Sequence, residues 1–85
     1  MPTSAQIEVG TEVVLIVPKS DFDQTAILHN LGGGAIYLGG PNVTTSNGYK
    51  LDNGDKLTVP VGDHEALYAV ADSGMPIVAV LTQIN

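Results

Sequence analysis

Two histidines, nine carboxylates, four serines and a run of glycines carry whatever chemistry this 85-residue chain could perform. The stretch 31–40, LGGGAIYLGG, first suggests a phosphate cradle, in which glycines lead into a helix N-terminus so that backbone N–H groups reach the anion. A strand-like run follows these glycines instead, with no GK[ST] and no acidic residue at the dinucleotide-binding spacing, so nucleotide binding is not expected. The letters HNLGGG could supply oxyanion donors, but no GxSxG nucleophile accompanies them.

His29 and His64 belong to no HExxH, HxH or CxxC pattern, so neither is expected to hold a metal. Asp63 and Glu65 flank His64, yet side chains on alternate sides of an extended segment cannot share one ion. His64 reads as an exposed turn residue, and His29, inside an apolar run, as a half-buried, hydrogen-bonded one. Asp52, Asn53 and Asp55 offer oxygens but lack the alternation and the terminal glutamate of a calcium loop. Asn53-Gly54 predicts a type I′ hairpin there instead. Asn42-Val43-Thr44 is a glycosylation sequon in letters, with no secretory signal before it. The serines specify no nucleophile, base and carboxylate arrangement. No enzyme, cofactor or catalytic residue is therefore expected. Tyr37 and Tyr68 are expected to pack with satisfied hydroxyls, and Tyr49, after Asn47 and Gly48, to be exposed.

The elements that position these residues are strands. Ten Val and six Ile against eight Leu favour the extended chain. Runs rich in Val, Ile, Thr and Tyr, bounded by Gly, Pro, Asn and Asp, place strands at 5–9, 12–17, 25–30, 35–38, 56–61, 66–71 and 77–83. Turns fall at PKSDFD, DNGD and ADSGMP. The expected fold is all-β, a small antiparallel sandwich or barrel of about seven short strands, with residues 1–6 as a flexible arm and 7–85 as one domain. Its core should hold Ile36, Leu38, Leu57, Val59, Leu67, Val78 and Val80. Gly32 to Gly34, Gly39 and Gly40 bracket the strand at 35–38 as bends or bulges that let another backbone come close.

A chain of this size buries only about 60–65% of the surface its unfolded form exposes. With no cysteine and two histidines, disulfides and structural metals are closed or remote supplements, which leaves association with other subunits. The net charge is −6 and there is no Arg, so neither nucleic acid nor an anionic membrane is an expected partner. No basic n-region or spanning apolar run is seen, consistent with synthesis in a reducing cytosol. Segments 12–17 and 77–81 are apolar on successive residues, so both of their faces should be covered, one by the core and the other by a second sheet or a partner.

YLGGPNVTTSNGYKL at 37–51, followed by LTV, EALYAV and VAVL, resembles an ordered set of words in small structural proteins of tailed bacteriophages. The likeness covers roughly residues 35–81. It implies a non-enzymatic β-sandwich in the virion, made in the host bacterial cytoplasm. The type implied is a head decoration protein on the capsid exterior, a homotrimer that clamps the major capsid protein. Met75 and Pro76 depart from the pattern, and Pro76 requires the last strand to begin after it or to lie at an edge. For contacts, Pro2, Thr3, Ser4, Ala5, Gln6, Glu12, Val14 and Ile16 are nominated. The alternative is a carbohydrate- or receptor-binding module of a fibre or tail, with a shallow patch of Asn42, Asn47, Tyr49 and Asp52.

Overall fold

The computed structural model describes residues 2–84. Met1 of the expected arm and Asn85 of the expected domain lie outside the described residues. Eight strands run in order: β1 (Pro2–Glu8), β2 (Val14–Val17), β3 (Gln24–Asn30), β4 (Ile36–Gly39), β5 (Tyr49–Leu51), β6 (Lys56–Val61), β7 (Leu67–Ala71) and β8 (Ile77–Ile84). They form two antiparallel four-stranded sheets, β1-β8-β3-β6 and β2-β7-β4-β5. Only β4 and β5 are sequential strands that pair; every other connection crosses from one sheet to the other. This is the order of a jelly roll, which joins strands across two sheets and not within one.

Period-two patterning makes the strands. In β3, Gln24, Ala26, Leu28 and Asn30 turn inward and are buried, while Thr25, Ile27 and His29 face out. Val9, Val17, Leu28, Ile36 and Val78 are fully buried members of one core cluster. Each such side chain stabilises the fold by about 1.5–3 kcal/mol. Of the expected core, Ile36, Leu38, Val78 and Val80 are buried, and Leu57, Val59 and Leu67 are half-buried against the cluster.

Two expectations are corrected. Residues 2–6 are not a separate arm: they are the front of β1, paired in register with β8 from Pro2 opposite Gln83 to Glu8 opposite Ile77. The DNGD turn is not a type I′ hairpin, because β5 and β6 lie in different sheets and only Gly54 has positive φ there, as at the third position of a type II turn. No second sheet covers the outer faces of segments 12–17 and 77–81, where Leu15 and Leu81 stand 44% and 41% exposed in the single chain, which leaves the partner alternative. Pro76 precedes β8, so the interior strand loses no ladder donor.

Candidate functional site

The outer face of the β1-β8-β3-β6 sheet exposes two large apolar side chains, Ile27 and Leu81, on neighbouring strands. Ile27 on β3 lies opposite Leu81 on β8, and Leu81 opposite Ser4 on β1, so these residues form one cross-strand row. The next row is Gln6, Ala79, His29 and Lys56. Between them lies an open groove of about 560 Å³, floored by Ile27, Ala79 and Leu81 and rimmed by Ser4, Gln6 and His29. His29 is half-buried there, the degree of burial expected for it.

On the inner side, the two sheets part beside β1. A cleft of about 230 Å³ runs past Thr3, Ala5, Ile16, Val80 and Ile84. Ala5 points toward the core side of its sheet, opposite Val80, yet is exposed, lining the cleft together with Ile16 of the other sheet. The nominated contact residues therefore separate. Thr3, Ser4, Ala5 and Gln6 are exposed along β1, whereas the side chain of Pro2 lies outside the described set. Glu12 is exposed ahead of β2, Val14 is half-buried, and Ile16 is 3% exposed within the core cluster. A bulge between Leu15 and Val17 shifts the register of β2, and the outward apolar residue is Leu15.

The alternative patch is spread over the β4–β5 hairpin. Its loop, residues 40–48, folds back over its sheet with Val43 buried against it. The Asn47 side chain is spent inside the loop: Oδ1 accepts from Thr44 N at 2.7 Å and Nδ2 donates to Asn42 O at 3.4 Å. A shallow depression beside Gly40 is lined by Asn42 and Asn47 but by neither Tyr49 nor Asp52. Tyr49 is 62% exposed, as expected, and Asp52, past the far end of β5, is 3.5 Å from Lys50 Nζ.

The glycine run is held by a residue that sequence reasoning passed over. Asn30 is fully buried and makes three side-chain hydrogen bonds: Nδ2 donates to Gly34 O and Leu51 O, and Oδ1 accepts from Gly32 N, each at 2.9 Å. Its backbone N–H donates to Asp55 O and its carbonyl accepts from Gly54 N. Gly32, Gly33 and Gly34 all have positive φ, and a Cβ at Gly33 would lie 3.0 Å from Pro76 Cα. The glycines serve a close backbone approach. An asparagine directly before a glycine turn was the signal available, since its amide can bond the backbone two residues on.

His64 is an exposed turn residue with φ of 63°, 3.4 Å from Asp21 Oδ1 and 3.2 Å from Asp63 Oδ2. Its backbone N–H donates to Ser20 O at 2.7 Å, which ties two turns together. Among the described residues, no three His, Cys, Asp or Glu side chains converge as metal ligands.

No protein-family model matches the sequence. No curated protein matches it either. Solved structures do share the fold. A subunit from the work on Bacillus endospore appendages, described as disulfide-linked pili, superposes with a TM-score of 0.60 at 10% identity, over 99% of this chain and 85% of that one. A cupin-2 domain protein from Shewanella frigidimarina gives 0.54 at 13% identity, over 99% and 71% of the two chains. Apo-HppE gives 0.52 at 14% identity, over 93% of this chain and 39% of its own. None of these three is a phage head protein by its description, and at such identities the likeness is one of fold alone. The present chain has no cysteine with which to form disulfide links.

Proposed function

We propose that this protein is a non-enzymatic capsid decoration module, which docks on the outside of an assembled phage head and stabilises contacts between major capsid protein subunits. The observation that carries the proposal is the apolar row of Ile27 and Leu81, exposed in a groove on a strand-built face. Exposed apolar surface rimmed by polar residues marks a protein contact. The particle itself comes from the ordered words YLGGPNVTTSNGYKL, LTV, EALYAV and VAVL and their resemblance to tailed-phage structural proteins. A jelly roll suits a virion component, although the same fold also serves lectins and cupins.

The mechanism is preferential binding. A module that binds the assembled shell and not free coat subunits shifts the equilibrium toward the shell by about RT ln(1 + [L]/Kd), roughly 2.7 kcal/mol per site at a hundredfold excess over Kd. A net charge of −6 favours the exterior, because an interior position would set it against packaged DNA.

The exposed ring of Tyr49 favours the second reading, a sugar-binding module on a fibre or tail. Against it, the Asn47 amide is already engaged within its loop. Copy number separates the two. Quantitative mass spectrometry of purified virions is expected to find this chain in proportion to the coat protein; a few copies per particle would remove the decoration reading.

A further inference from the structure

Of the four sheet edges, three carry devices that block strand addition. β6 has Pro60 within it and Lys56 at its start. β5 is three residues long with Lys50 at its centre. β2 is broken by the bulge between Leu15 and Val17 and is followed by Pro18. Lysine, proline, bulges and shortness are the means by which proteins keep edges from pairing.

β1 has none of these past its first residue, Pro2. It runs seven residues in unbroken register with β8, carries no proline after Pro2, no lysine, and no charge before Glu8. In an antiparallel pair, alternate backbone N–H and C=O groups of β1 point away from β8, where no strand among the described residues meets them. The outer groove and the inner cleft lie on either side of this strand, each lined by Ser4 and Ala5.

We infer that β1 is a docking edge for the β1 of a second copy, added antiparallel about Ala5, so that two four-stranded sheets join into one of eight. The side chains of β1 are self-complementary when two copies pair, and the charge pattern sets the direction. Antiparallel pairing sets each Glu8 opposite the partner copy's strand start and about 20 Å from the other Glu8 at ~3.4 Å per residue, beyond the ~8 Å Debye length. Parallel pairing in register would set the two carboxylates about 4.8 Å apart. Antiparallel addition also faces Ser4 with Gln6 on the outer side and Ala5 with Ala5 on the inner side, small or polar pairs that allow the backbones to close. The contact is isologous and twofold, needs no shell, and is independent of the decoration reading, whose resemblance implies a trimer.

The test is molar mass by light scattering over a concentration series, read beside amide exchange. The wild-type chain should rise from 8.8 kDa to twice that mass, with alternate β1 amides protected in the dimer. The double variant Ser4→Lys with Gln6→Lys should return to monomer mass with those amides exchanging and with a thermal midpoint close to that of the wild-type chain diluted to monomer. Thr58→Lys on the opposite edge should leave the dimer intact. A wild-type monomer up to the solubility limit, a trimer, or a dimer that survives the two lysines would each overturn the inference.

Discussion

Asn30 shows how one buried side chain can hold three segments of a small sandwich. Its amide joins the end of β3 to the glycine run and to the end of β5. Asn30→Ala would leave the Gly32 N–H and two carbonyls without those partners, and is expected to lower stability by about 3 kcal/mol in denaturant unfolding. Asn30→Asp should cost at least as much, because a carboxylate would face the Gly34 and Leu51 carbonyls to which the amide now donates. Gly33→Ala adds a Cβ against the Pro76 backbone at a φ of 98° and should cost roughly 1–3 kcal/mol. The need for glycine before β4 was legible in the letters, but the clamp was not. The letters signal only the local bond between Asn30 and Gly32, and tertiary placement alone brings Leu51 O to its amide.

Strands were legible because runs rich in Val, Ile, Thr and Tyr, bounded by Gly, Pro, Asn and Asp, suit a pleated, half-buried surface. β2, β3, β4, β6, β7 and β8 announced themselves in that way. β5 did not, since YKL is three residues long and only Leu51 is buried. The front of β1 was missed for a related reason. At an open edge, Thr3 and Ala5 face a cleft rather than a packed interior, so no large apolar residues mark the inner positions. Segments 12–17 and 77–81 were correctly read as apolar on both faces, and their outer residues Leu15 and Leu81 are exposed in the single chain. If the outer groove is the shell contact, Ile27→Lys and Leu81→Lys, at exposed positions, should each change stability by about 0.5 kcal/mol or less. Both should abolish binding to heads in a pull-down, while Tyr49→Ala should retain it. Loss of binding in Tyr49→Ala alone would favour the fibre reading.

At the scale of the molecule, the all-β class followed from composition and turn spacing, but the strand order did not. Connections that cross between sheets have no signature in a hydropathy pattern, so the DNGD turn looked like a hairpin when it is a passage from one sheet to the other. The jelly roll leaves an 85-residue chain with modest burial and four edges, and its outer apolar face adds surface that only a partner can remove from water. The measurement that bears most directly on the proposed docking to an assembled head is co-sedimentation of the purified protein with unexpanded and expanded tailed-phage heads. The bound chain is then counted against coat protein. Saturable binding in a simple ratio to coat subunits, with preference for expanded heads, is the predicted result. Failure to bind either form would contradict the account.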